Sequence, residues 1–179
     1  IEALDLLEQK RSMGAKPTQW QTDPALLRQL GAEALRTGNA TWKRTFAAAL
    51  EGSIEQLAPE ALIDHAEICL RMELRAPAWA AILRVQKLDP QHPGPFLLAA
   101  SYPREWARLP TFMSTELPQP GSEQTPTREE LLNTCLERIA AKLAVGPIPR
   151  AMALMRVRVH SMLKQHDEAL QELDRIEQA

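Results

Sequence analysis

The chain has 179 residues, of which 45% are hydrophobic and 25% are charged, as in an ordinary globular protein. Its formal net charge of −2 gives no electrostatic reason to expect nucleic acid as a partner. No apolar run approaches the roughly 18 residues that a spanning helix needs, so we expect no membrane insertion. Because the chain begins with Ile1, we expect a section of a longer protein. A cytoplasmic location and a removed targeting segment both remain open.

Apolar residues recur at helical spacing through most of the chain, and alternating β-branched runs are missing. Short turns marked by glycine or proline separate the helical stretches. Helices this short must pack antiparallel against their neighbours to bury their apolar sides. The helices predicted in the first half cover residues 1–13, 24–37, 41–57, 59–74 and 77–89.

Residues 91–127 contain too many prolines for a continuous helix. Short helices near 96–100 and 104–109 fit between the prolines, and 117–127 is predicted to be an exposed, mobile loop. Thr127 and Glu130 form a capping-box pattern that opens the next helix, which ends at Gly146. Two further helices are predicted over 149–165 and 167–179. The last of them is expected to bury Ala169, Leu170, Leu173 and Ile176.

The chain contains an internal repeat. Pro24 and Pro59 stand 35 residues apart, and each opens a helix that is followed by a partner helix. Leu30-Gly31, Ala34 and Gly38-Asn39 in the first unit, and Leu88-Asp89-Pro90 at the end of the second, resemble the tetratricopeptide repeat (TPR) family. Trp42 departs from the family pattern, because a bulky ring replaces a small residue. In the second unit, the matching positions are Leu62, Ala66, Cys69, Ala78, Ile82 and Val85.

The resemblance implies an all-α superhelix, a TPR-like solenoid of helical hairpins with an irregular proline-rich insertion. We expect residues 1–179 to form a single repeat domain. Its predicted parts are a partial repeat and linker over 1–22, two repeats over 23–90, the irregular segment over 91–127 and C-terminal helices over 128–179.

Motifs for chemistry are weak in this sequence. His65-Ala66-Glu67 is similar to the ligand and proton-shuttle pair of zinc deaminases, but those sites also need a Pro-Cys-x-x-Cys motif. The two cysteines, Cys69 and Cys135, lie in apolar helical stripes and are expected to be buried, reduced thiols. No glycine-rich phosphate loop or nucleophile elbow is present. We therefore predict no catalytic residue, no metal and no cofactor.

The predicted function is protein–protein interaction, as a scaffold or adaptor. The composition, rich in arginine, alanine and leucine, favours a bacterial source. In the TPR family the first helix of each unit lines a concave groove, which holds a partner peptide or helix. By this resemblance the groove residues are Arg28, Leu35, Arg36, Ile63, Glu67, Leu70 and Arg71.

Two alternatives to a groove-binding adaptor remain open. One is a self-associating or regulatory segment, attached to a catalytic domain elsewhere in the full-length protein. Another is an enzyme, which needs a polar pocket near 91–127. If the chain is an adaptor, Trp20 and Trp106 are alternative anchors for its partner, because they lie beside proline-rich segments.

Overall fold

The structure, a computed structural model, describes residues 23–112, 117–120 and 126–178. All regular structure in these ranges is helical, which confirms the prediction of an all-α chain built from helical hairpins. The helix predicted over 1–13 and Trp20 lie outside the described residues. The helices are α1 (Pro24–Thr37), α2 (Ala40–Ser53), α3 (Pro59–Arg71), α4 (Arg75–Leu88), α5 (Gly94–Ser101), α6 (Pro103–Trp106), α7 (Arg128–Val145), α8 (Arg150–Met162) and α9 (His166–Gln178).

The chain divides into two compact units, with the boundary between Leu88 and Asp89. In unit 1, α1 pairs with α2 and α3 pairs with α4, while α1 also packs on α3 and α2 on α4. In unit 2, α7 packs on α5 and α8, and α8 pairs with α9. The repeat boundaries within 1–179 stay a prediction.

The ends of α1 follow from its sequence. Asp23 caps the helix, since its side chain accepts a hydrogen bond of 2.9 Å from the amide of Ala25. Pro24 occupies the first turn, where its missing N–H costs nothing. At the other end Gly38 has φ of 64°, and its N–H donates to Ala34 O. This left-handed residue stops α1 and starts the short turn into α2.

The helices α1 and α3 approach each other closely at Gly31. A Cβ atom at Gly31 of α1 would lie 2.9 Å from Cγ2 of Ile68 on α3, and 2.9 Å from Cε2 of Phe46 on α2. Three helices therefore converge at a position where only glycine fits without rearrangement. The side chains around it are buried, Phe46 completely.

Two hairpin turns share one unusual conformation. Glu73, between α3 and α4, has φ of 60°, and Lys164, between α8 and α9, has φ of 63°. In both turns the amide that follows reaches back to a helix carbonyl, from Leu74 to Cys69 O and from Gln165 to His160 O, each at 2.9 Å. This backbone pattern ends a helix with a left-handed residue and sends the chain back along the helix it has left.

Unit 2 is organised around α5. Residues 94–100 are all buried, which suits an eight-residue helix that is apolar on every side. The guanidinium of Arg138 on α7 lies 4.3 Å from the ring centroid of Phe96, and Lys142 Nζ lies 2.7 Å from Asp89 Oδ2. These contacts fix α7 against α5 and against the turn that precedes α5. The predicted capping box of Thr127 and Glu130 at the start of α7 is confirmed.

Two predictions in unit 2 are wrong in part. Residues 117–127 are predicted to be exposed, and Pro126 and Thr127 are, but Leu117 and Pro118 are buried. Trp106 Nε1 donates a 3.0 Å hydrogen bond to Pro118 O. The last helix was expected to bury both of its leucines, but Leu170 is 60% exposed and Leu173 is 37% exposed. Ala169 is buried as expected, and Ile176 is partly buried.

Candidate partner-binding face

The seven residues predicted to line a groove divide by burial. Arg28, Arg36 and Arg71 are exposed, and Leu35 and Glu67 are partly buried. Ile63 and Leu70 are 3% and 1% exposed, so their side chains pack inside the structure. The binding role of these residues stays a prediction, and the exposed arginines are the members whose side chains a partner can reach.

The outer sides of α1 and α3 form one continuous surface, which we call the α1–α3 face. The side chains of Arg28 and Asp64 approach to 3.7 Å across the two helices. Gly31 and Ile68 meet one turn further along both helices, so α1 and α3 run in the same direction. Helical spacing then defines the face by Arg28, Ala32 and Arg36 on α1, and by Glu60, Asp64, Glu67 and Arg71 on α3.

The Arg28–Asp64 pair bridges the two helices loosely. Its side chains are 70% and 45% exposed, and exposed ion pairs of this kind contribute about 0–1 kcal/mol. The pair therefore adds little to the stability of unit 1. The guanidinium of Arg28 can therefore turn toward a ligand at a small cost in free energy.

Arg36 is held more firmly than Arg28. Its Nε donates to Glu33 Oε2 at 2.9 Å, and its Nη2 donates to the other carboxylate oxygen. This two-pronged hydrogen bond lowers the pKa of Glu33, and it raises the pKa of Arg36. Since both groups stay charged at neutral pH, the end of α1 carries an ion pair whose arginine is exposed.

Arg71 is the cation at the far end of the face. It is the last residue of α3, where a positive charge is favoured by the helix dipole. It is exposed, and it has no ion pair within the part of the chain that the structure describes. A carboxylate from outside the chain can therefore pair with Arg71 without first displacing a described partner.

Of the acidic residues on or beside this face, sequence patterning selected Glu67 but not Asp64 or Glu33. Asp64 was not selected, although it stands 36 residues after Arg28 and so follows the repeat period closely. Glu33 was not selected either, although it precedes Arg36 by three residues, the spacing of a helical ion pair. Both signals were available in the sequence.

The candidate metal and thiol chemistry finds little support in the geometry. Among the described residues, no group of three or more histidine, cysteine or acidic side chains could hold a metal ion. His65 is buried with Nδ1 hydrogen-bonded to Ala61 O, so it packs inside unit 1. Burial raises the pKa of the Cys69 and Cys135 thiols to about 12, which keeps both protonated and unreactive.

A small cavity lies in unit 2, near the segment where an enzyme would need a polar pocket. Its volume is about 130 Å³, comparable with one large apolar side chain. The wall includes Trp106, which is 3% exposed and therefore buried in unit 2. No carboxylate, imidazole or thiol is among its described lining residues, which are Ala99, Ala100, Pro103, Trp106, Ala107, Pro118, Gln119, Pro126, Arg128 and Leu131.

Comparison of the chain with protein-family models, with curated proteins and with solved structures found no match. Over the described ranges, no helix has both the length and the apolar content needed to cross a membrane.

Proposed function

We propose that this chain is a TPR-like protein-interaction module, which binds a peptide or helix of a partner protein on the α1–α3 face. The observation that carries the proposal is the parallel, side-by-side arrangement of α1 and α3, bridged by Arg28 and Asp64. Two neighbouring helices that expose their polar sides in the same direction form an extended surface, which suits a linear or helical ligand.

The charges of the face indicate the chemistry of the partner. Arg28 and Arg36 lie on α1, while Arg71 lies at the end of α3. An acidic strip of Glu60, Asp64 and Glu67 runs between them along α3. A ligand with alternating acidic and basic groups matches this pattern, and a carboxylate near Arg71 gains a charge-assisted hydrogen bond.

The internal repeat supports the TPR-like part of the proposal. Pro24 and Pro59 each occupy the first turn of a helix that begins a hairpin, 35 residues apart. Gly31, the small residue that the resemblance places inside the first helix, sits where α1 and α3 approach closely. A repeat of this kind uses its stacked hairpins as a rigid support for a binding surface.

Affinity capture from cells of the source organism tests the proposal. Replacing Arg28, Arg36 and Arg71 by glutamate should lower the recovery of specific partners by about tenfold or more, because repulsion replaces attraction on the face. Arg44→Glu is the matched control, since Arg44 is an exposed arginine on α2, outside the face. Circular dichroism should show that all variants remain folded. Equal partner recovery by the triple variant and by Arg44→Glu would contradict the proposal.

A further inference from the structure

The last helix, α9, carries an exposed pair of leucines that sequence patterning predicts to be buried. Leu170 is 60% exposed and Leu173 is 37% exposed, and their spacing of three places them on one side of the helix. A large apolar pair exposed together, with polar residues around it, is typical of an interaction surface. We define the leucine face of α9 by Leu170 and Leu173 with the acidic residues Asp167, Asp174 and Glu177.

The rotation of α9 about its axis is fixed by a buried carboxylate. Glu172 is only 8% exposed, and its Oε1 lies 3.1 Å from Nη1 of Arg156 on α8. Arg175, one turn along α9, donates to the same oxygen. Turning α9 to bury Leu170 would pull Glu172 away from Arg156, and the largely buried guanidinium of Arg156 would lose its partner. The leucines thus stay on the outside because the ion pair holds the other side of α9 inside.

The acidic residues of the face give it a charge. Asp167 precedes Leu170 by three residues, Asp174 follows Leu170 by four, and Glu177 follows Leu173 by four, so all lie on the leucine side. The three carboxylates are exposed, and none forms an ion pair with another residue in the described ranges. The leucine pair is therefore bordered by negative charge that this unit does not neutralise.

We propose that the leucine face of α9 binds a basic amphipathic helix of a partner protein. Apolar side chains of that helix would cover Leu170 and Leu173, and its lysines or arginines would pair with the three carboxylates. The negative border disfavours the other occupants. A second copy that docked through the same face would bring its own carboxylates against these, and an anionic membrane surface would be repelled.

The leucine face of α9 lies in unit 2, and the basic partner proposed for it differs in chemistry from the partner proposed for the α1–α3 face.

The direct test of the leucine face uses two synthetic helical peptides, each about four turns long, with leucines at spacings of three and four. One peptide carries lysines beside the leucines, and the other carries glutamates at the same positions. Fluorescence anisotropy with the whole chain measures both affinities.

The lysine peptide should bind at least about tenfold more tightly than the glutamate peptide, and added salt should lower the affinity of the lysine peptide. Leu170→Ser with Leu173→Ser should lower its affinity by about tenfold or more, because the apolar contact is lost. Leu154→Ser is the matched control, since Leu154 is a 45% exposed leucine on α8. Asp174→Lys with Glu177→Lys should reverse the preference toward the glutamate peptide.

Three results would overturn the inference: no binding of the lysine peptide, equal binding by the Leu170/Leu173 variant, or no preference between the peptides. Light scattering over a concentration series, which measures the oligomeric state, can give a fourth contradicting result. A dimer that the Leu170/Leu173 variant abolishes would assign the face to a second copy of the chain. Arg28→Glu, Arg36→Glu and Arg71→Glu should leave peptide affinity unchanged, so this inference and the proposed function fail separately.

Discussion

The imidazole ring of His65 on α3 lies nearly parallel to the ring of Phe46 on α2, with 5.9 Å between their centroids and 7° between their planes. Nδ1 of His65 donates to Ala61 O, since a carbonyl can only accept. Nε2 is then left as a buried acceptor without a hydrogen-bond partner. The stack therefore holds a neutral histidine inside unit 1.

This arrangement predicts a loss of stability in acid. Burial lowers the pKa of His65 below its usual value, although the bond to Ala61 and the charge of Asp64 act in the opposite direction. The unfolded chain takes up a proton near pH 6.5, and the folded chain does so only at lower pH. The free energy of unfolding should thus fall as pH drops below about 6.5.

Denaturant titrations of the wild type and of His65→Gln measure the free energy of unfolding between about pH 8 and pH 5. This range brackets the usual histidine pKa of about 6.5. The glutamine variant should lose the part of the decline that is due to His65. His166→Gln, which alters an exposed histidine on α9, should keep it. Parallel pH profiles of the wild type and His65→Gln would contradict the prediction.

Gly31→Ala should destabilise unit 1 even though alanine is the better helix former. The propensity gain is about 1 kcal/mol, while forcing an extra carbon against Ile68 and Phe46 at 2.9 Å should cost about 1–3 kcal/mol. Ala32→Gly, at the exposed neighbouring position, measures the propensity term alone. Chemical denaturation gives both values. A Gly31→Ala variant more stable than the wild type would show that the helices can separate freely.

Lys164→Gly should stabilise the chain by about 0.5–1 kcal/mol. Lys164 has φ of 63°, a left-handed conformation that glycine adopts without the steric cost of a Cβ atom. Glu73→Gly, with φ of 60° in the equivalent turn of unit 1, should have a similar effect. Thermal unfolding checks both, and Gly38→Lys, at φ of 64°, should shift the melting temperature in the opposite direction.

The two cysteines should be inert to thiol reagents in the folded chain. Both are completely buried, and burial raises their pKa to about 12, so neither access nor thiolate is available at neutral pH. Absorbance with a chromogenic disulfide reagent should show no rapid reaction until guanidinium is added. Fast modification of either thiol under native conditions would mean that the helices around it open readily.

The positions and ends of the helices could be predicted from the sequence because the signals for them are local. Asp23-Pro24, Gly38 and the Thr127/Glu130 box each act within a few residues of the helix end that they determine. Hydrophobic spacing likewise located buried positions of α3 at Leu62, Ala66 and Cys69. The family pattern assigns Ile63 and Leu70 to a groove, whereas both side chains are buried in the structure.

What could not be predicted depends on contacts between distant segments. Trp106 donates a hydrogen bond to the carbonyl of Pro118, 12 residues further along the chain, and no local pattern indicates this contact. The exposure of Leu170 depends on Arg156, which holds Glu172 on the inner side of α9. An apolar period of 3.6 residues identifies a side of a helix, but it does not say whether another helix covers that side.

Photo-crosslinking within cells tests the central claim most directly, with a photoreactive amino acid placed at Ala32 or at Ala48. Both alanines are exposed, but Ala32 lies between Arg28 and Arg36 on the α1–α3 face, whereas Ala48 lies on α2. The proposed function predicts discrete adducts with a partner protein from Ala32, reduced by Arg71→Glu, and none from Ala48. Equal adducts from the two positions, or adducts from Ala48 alone, would contradict it.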